Sequence, residues 1–254
     1  MFTHTSQVTP HFIKRPDLLS PKNHLRYIEV KCFHSNSFDR LIQNALFVSD
    51  RFDQHNQGLV LELRVNQHFI PHRVVQWYQD VQAQAINIEL RCLVGKTVHD
   101  ILAPLAPFFE LPIPTKNVII IDWSFRMARD TSFTNQLLDE LRTRNVTRVV
   151  LCDTYALLSP SETESCCHHA ICTFPDMRFG YCTVNRQQNI SALEKIRRAY
   201  TAGVHVLHVN LSENDKMSIP LITKVTRVLT DRSVELSTTF SFSGLRMGGT
   251  NFDL

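Results

Sequence analysis

A strand-sized apolar run recurs about every 30 residues along this chain, a spacing that suits one strand–helix unit used again and again. The runs occupy residues 26–32, 59–65, 86–92, 117–123, 147–153, around 177–182, 204–209 and 233–237. Apolar residues at helical spacing lie between most of them. They are Phe38, Leu41, Ile42 and Ala45, then Val74, Val75, Tyr78 and Val81, then Phe133, Leu137, Leu138 and Leu141. Ile196 and Tyr200, and after them Ile222, Val225, Val228 and Leu229, continue the pattern. The class is therefore α/β with a parallel sheet. One repetitive domain is expected over 25–240, preceded by an extended arm over 1–24 that carries Pro10, Pro16 and Pro21. An irregular tail over 241–254 follows, marked by Gly244, Gly248 and Gly249. The sixth unit is blurred by Ser, Thr and Cys over 159–173, which predicts a loop or local insertion there.

Three α/β architectures accept such a pattern, of which a doubly wound sheet would need fewer and less even repeats. Eight units at this spacing suit a closed (β/α)8 barrel, and an open solenoid, or horseshoe, lays a parallel sheet along its concave face. Three segments weigh on the choice: "YIEVKC" at 27–32, "VLELRV" at 60–65 and "NIELRC" at 87–92. Alternate strand residues share a face, so Ile28, Val30 and Cys32 and their counterparts turn one way. Glu29, Lys31, Glu62, Arg64, Glu89 and Arg91 turn the other, and Asp122 extends the acidic row. Charges enclosed at mid-strand in a narrow barrel lose hydration at several kcal/mol each, whereas an open concave face keeps them wet. The open horseshoe is the expectation on that ground, with the closed barrel as its alternative.

An apolar or small residue followed by apolar residues three and five positions later recurs as Leu25–Ile28–Val30, Gly58–Leu61–Leu63, Ala85–Ile88–Leu90 and Val118–Ile121–Trp123. Val146–Val149–Leu151 and Val204–Leu207–Val209 repeat it. The pattern resembles the leucine-rich repeat, and "LLDELRTRNVTRVVL" at 137–151 looks like the helix-then-strand segment of its long, ribonuclease-inhibitor-like type. The resemblance implies an open horseshoe and a protein-binding role.

Charge and motif content narrow the function. Lys and Arg number 27 against 24 Asp and Glu, a formal net charge of +3, and the basic residues are scattered among acids. A nucleic-acid binder gathers them into a patch, so no nucleic-acid partner is implied. The N-terminus lacks a continuous apolar h-region and no run approaches membrane-spanning length. Seven cysteines make an odd count in a chain too long to need staples. A cytoplasmic protein without membrane contact is the expectation. Only seven glycines occur, and neither a Walker A segment, a Rossmann fingerprint, G-x-S-x-G nor H-E-x-x-H is present. No catalytic residue and no cofactor is assigned.

The sequence reads as a protein-binding or scaffold domain that meets a protein partner through the charged face of Glu29, Lys31, Glu62, Arg64, Glu89, Arg91 and Asp122. A barrel hydrolase, such as a metal-assisted phosphodiesterase or glycosidase, is the alternative. Its carboxylates would be Glu62, Glu89, Asp122 and Asp153, since ligands collect beyond the carboxyl ends of parallel strands. Asp122 and Asp153 each close a strand, where capping the following loop is the simpler role. His205 and His208 fall on opposite faces by alternation, leaving His208 with the charged face. "CCHHAIC" at 166–172 is the densest group of soft ligands, but no second ligand pair is spaced to complete a zinc site, so no metal is assigned. Cys32, Cys92, Cys152 and Cys182 read as small buried hydrophobes at strand ends.

Overall fold

The computed structural model describes residues 25–31, 60–126, 129–183, 189–211 and 235–241. Eight strands run in one direction: β1 (Leu25–Lys31), β2 (Val60–Val65), β3 (Ala85–Arg91), β4 (Lys116–Ile121), β5 (Arg148–Asp153), β6 (Arg178–Thr183), β7 (Val206–Leu211) and β8 (Glu235–Ser241). Each begins within about two residues of the position expected from the apolar pattern, the ordinary uncertainty of a strand end. Strands β2 to β7 form a curled parallel sheet, each bonded to the next in sequence. The sheet then closes, because β1 pairs with β2 on one side and with β8 on the other.

Repeated strand–helix units on a curled parallel sheet match the expectation. The free edges of a horseshoe do not form, and the closed barrel weighed as its alternative is the arrangement adopted. Closure tolerates charged residues at mid-strand because those with described side chains meet partners inside, as set out below.

The helices explain themselves locally. Helix α1 (Pro71–Asp80) has Pro at its first turn and buries Val74 and Trp77, with Trp77 edge-on to Phe69 at 6.2 Å. Helix α2 (Val98–Leu102) opens on a capping box between Thr97 and Asp100. A 3-10 turn (Ala103–Leu105) and α3 (Ala106–Phe109) continue it. After β4 come α4 (Trp123–Arg126) and α5 (Thr131–Thr143). The Asp130 carboxylate accepts the Phe133 N–H at the start of α5, which buries Phe133, Leu137, Leu138 and Leu141 as its spacing predicts.

The segment 159–173 is not a loop but helix α6 (Pro160–Thr173). Its buried positions are Thr163, Cys167 and Ala170, so the helical stripe exists but is written in small residues that carry little hydrophobic signal. A reciprocal cap between Ser159 and Glu162 starts it, and α7 (Asn189–Thr201) follows β6. The expected helices around Phe38–Ala45 and Ile222–Leu229, the arm over 1–24 and the tail beyond 241 lie outside the described residues. Among the described residues no helix is long and apolar enough to cross a membrane.

One face of each of the strands β2 to β7 packs under the helices. Leu63, Ile86, Ile88, Leu90, Val118, Ile120, Val149, Leu151, Phe179 and Leu207 join helix residues such as Trp77, Leu137 and Ile196 in one continuous core. A second, separate apolar cluster of Ile119, Ile121, Val150, Cys152 and Cys182 lines the lumen.

Candidate functional site

Residues that alternate with the helix-facing core must point into the barrel, and the lumen they line is layered. At the amino-end floor, Arg148 Nη2 donates to both oxygens of Glu62, at 2.6 and 2.7 Å. Asn87 Nδ2 donates to Glu62 Oε2 at 2.9 Å, and Asn117 Nδ2 donates to Asn87 Oδ1 at the same distance. All four are buried. The floor is therefore an ionic plug in which each of the four side chains finds a partner within the lumen, and pairing of this kind offsets the cost of enclosing the charges.

One layer up, Arg64 Nε lies 2.9 Å from Glu89 Oε2, again between buried side chains. The other Glu89 oxygen is 3.9 Å from Arg91 Nε. Arg91 closes β3 and its side chain is 63% exposed. Gly180 sits in this layer, and a Cβ there would come within 3.1 Å of both Val150 Cγ2 and the Val206 carbonyl. Its two register neighbours therefore leave no room for a side chain there.

Toward the carboxyl end, Arg91, Ile121, Cys152, Cys182 and His208 form a single register row across β3, β4, β5, β6 and β7. In a ring of eight strands, β3 and β7 stand across from one another, so Arg91 and His208 flank the thiols from opposite sides. Cys152, Cys182 and His208 are buried, and neither thiol is in a disulfide.

Asp122 follows Ile121 with φ of 62°, in the left-handed region that Asp tolerates better than most residues. Its N–H points to Thr154 Oγ1 at 3.4 Å. The carboxylate oxygen Oδ1 is buried with no partner among the described residues, as are Trp123 Nε1 and Ser124 Oγ. Three successive orphaned polar atoms at the carboxyl end of one strand mark a place where a ligand's polar groups would be satisfied.

The structure thus sorts the candidates. Glu62, Arg64 and Glu89 are enclosed and paired, so the exposed concave face expected from alternation is instead the lining of a lumen. Its charges are withdrawn from any protein surface, and Arg91 alone of these four is exposed. Glu29 aligns with Glu62, and Lys31 with Arg64, across the β1–β2 ladder, but their side chains lie outside the described residues. Asp122 stands at the carboxyl-end mouth. Asp153 faces the helices instead: its oxygens accept Lys195 Nζ at 3.1 Å and the Leu157 N–H at 3.0 Å, and Lys195 also reaches the Ala156 carbonyl. It is a buried structural ion pair that caps a loop, removed from the mouth. His205 accepts the Phe179 N–H through Nδ1 at 3.1 Å, while His208 turns into the lumen.

Helix α6 splits the "CCHHAIC" segment. Cys167 is buried, and burial pushes its thiol pKa far up, with the neighbouring Cys166 adding to the shift. Cys166 is raised as well, by burial and then by Glu162. His168 and Cys172 share the outer face with Nε2 and Sγ 3.4 Å apart, and His169 contacts Asn135. Among the described residues no three His, Cys, Asp or Glu are grouped to hold a metal ion.

Sequence reasoning missed Arg148, Asn87 and Asn117 in the floor and the thiol–imidazole row above. The alternation that marked Glu62 and Glu89 also places Asn87, Asn117, Cys152 and Cys182 on the same face, so the signal was available in parity alone.

No protein-family model matches the chain. Solved structures that share its fold include the carboxyl transferase domain of Rhizobium etli pyruvate carboxylase. With 3-bromopyruvate that domain aligns at a TM-score of 0.54 and 12% identity, over 91% of this chain and 52% of the other. With pyruvate and biocytin the TM-score is 0.55 at 13% identity, over 83% of this chain and 41% of the other. With 3-hydroxypyruvate it is 0.54 at 12% identity, over 87% and 50%. This chain spans about half or less of the length of these chains. The likeness is one of fold.

Proposed function

We propose that this barrel binds a small organic acid at its carboxyl-end mouth, with Arg91 holding the carboxylate and Asp122 accepting a hydroxyl or other proton-bearing group. The observation that carries the reading is the exposed Arg91 guanidinium standing over the buried Arg64–Glu89 pair. Glu89 is one negative charge between two guanidiniums, so the trio keeps a surplus positive charge, and the surplus faces the opening. A guanidinium fork suits a carboxylate geometrically. The buried, unpartnered Oδ1 of Asp122, one residue past the register partner of Arg91, supplies an acceptor close by. The solved domains of like fold hold pyruvate and 3-hydroxypyruvate, which makes these acids natural first probes.

A hydrolase built on paired carboxylates has less support. Glu62 is engaged by Arg148 at the floor, and Asp153 by Lys195 outside the lumen. Titration calorimetry with pyruvate, 3-hydroxypyruvate and oxalate tests the reading. Saturable binding is expected, weakened at least tenfold in Arg91→Glu with the far-ultraviolet spectrum unchanged. Absence of binding by all three acids, or equal binding by the variant, removes it.

A protein partner docking at the same end is a second reading, favoured by exposed Leu93 and Val94 after β3 and exposed Tyr155 and Leu157 after β5. Here Val94→Asp with Leu157→Asp is expected to abolish a partner's co-purification. An unchanged co-purifying set removes this reading.

A further inference from the structure

We infer that Cys152 and Cys182 are a redox-active dithiol inside the barrel, closed by hydroperoxides to a reversible cross-strand disulfide with His208 assisting. The inference does not depend on which acid, if any, the mouth binds. Cys152 on β5 and Cys182 on β6 are register partners on adjacent parallel strands. Both belong to the lumen cluster, so both side chains project to the same side. Adjacent strands lie about 4.7–4.9 Å apart, inside the Cα separation of about 4.4–6.8 Å that a disulfide spans. His208 is the register partner of Cys182 on the next strand and is buried in the same row.

The chemistry follows from this order. With its proton taken up by the imidazole, the Cys182 thiolate attacks a peroxide oxygen; the O–O bond breaks, giving Cys182 sulfenic acid and, for hydrogen peroxide, water. Cys152 then attacks the sulfenic sulfur, forming the S–S bond and releasing a second water. Two thiols and one hydrogen peroxide become one disulfide and two waters. A bridge between in-register parallel strands departs from relaxed geometry, and strained bridges reduce readily.

Exposed Cys172, on the outer face of the helix layer, serves as the reference for simple accessibility.

The experiment uses the full chain under native conditions. Protein treated with hydrogen peroxide or left untreated is blocked with N-ethylmaleimide, then digested with trypsin and an Asp-specific protease. Cleavage after Arg148 and before Asp153 separates Cys152 from the cysteines of α6. The expected product is a Cys152–Cys182 linked peptide, absent before oxidation and lost on treatment with dithiothreitol. Phenylarsine oxide, which bridges closely spaced thiols, should protect the same two residues from maleimide. His208→Gln should slow disulfide formation several-fold. Recovery of Cys152 and Cys182 as separately blocked peptides after Cys172 has been oxidised overturns the dithiol, and an unchanged rate in His208→Gln overturns the part given to the imidazole. Wild-type protein decides the main question, so a folding defect in the variant does not obscure it.

Discussion

Arg148 reaches across the barrel floor to hold both carboxylate oxygens of Glu62, a residue 86 positions earlier, with both side chains almost completely enclosed. Removing one partner leaves a buried charge without its counterion. Arg148→Met is expected to cost about 3–5 kcal/mol. Adding Glu62→Gln removes the orphaned charge while keeping an acceptor for Asn87. The double variant should therefore be more stable than Arg148→Met alone. Urea denaturation of the wild type, both single variants and the double closes this cycle, and additive losses would show that the pair is not coupled.

The close approach of β5 and β7 to Gly180 gives a packing test. A methyl group at Gly180 would press on Val150 Cγ2 and the Val206 carbonyl, each 3.1 Å from the ideal Cβ, and on Val206 Cβ at 3.4 Å. Backbone atoms of a closed sheet yield little. Gly180→Ala should lose about 1–3 kcal/mol. Adding Val150→Ala relieves one contact and not the carbonyl, so thermal denaturation should show partial rescue at most.

How much of this could be read beforehand depends on where each partner sits in the sequence. Strand positions were legible because Leu63, Ile88, Val149 and Leu207 alternate with other residues under a helix layer, and either an open or a closed sheet demands that alternation. Closure was not legible. Mid-strand charges at Glu62 and Glu89 argue against a lumen unless partners are known, and Arg148 reads locally as the residue flanking an apolar run. Helix α6 was hidden for another reason. Its inner stripe of Thr163, Cys167 and Ala170 packs by being small, and its Ser159–Glu162 capping signal was the better guide.

That cap predicts an acid-side effect. The Ser159 hydroxyl and then the Ser159 backbone N–H, both bonded to Glu162, hold its carboxyl below the ordinary value of 4.5. A lowered folded-state pKa means stabilisation that is present above the unfolded value and disappears as pH falls through the folded one. Ser159→Ala should cost about 1 kcal/mol near neutrality. It should also flatten the loss of stability below pH 4.5, measured by denaturation at stepped pH. An unaltered acid slope would show that the cap contributes nothing there.

Tyr181 predicts the opposite limb. Burial first, and then the Asp153 charge, push its phenol well above the ordinary value of 10.0. The unfolded chain releases that proton earlier than the folded one, so stability is intact below pH 10 and declines as pH rises past it. Tyr181→Phe should soften the alkaline decline, and in the wild type this phenol should ionise only with unfolding. Absorbance titration of the wild type against the variant tests both points.

Asp122 offers a separation of stability from function. Its φ of 62° costs a non-glycine residue about 1–2 kcal/mol, and its buried Oδ1 lacks a partner among the described residues. Asp122→Gly should raise the melting temperature while weakening organic-acid binding. A variant that is stabilised and binds as well as wild type would detach Asp122 from the site.

The ionic floor also governs which alignments the sheet can accept. In a parallel barrel lined only by Val and Ile, sliding a strand by two residues keeps every side chain on its proper face and costs little. Sliding β5 by two positions toward its amino end would instead set Val150 against Glu62 and push a guanidinium out below the floor. Asn87 and Asn117 apply the same check to β3 and β4. The lumen thus works as a combination lock, in which one setting of the strands brings all four side chains to their partners and neighbouring settings leave a charge enclosed without company.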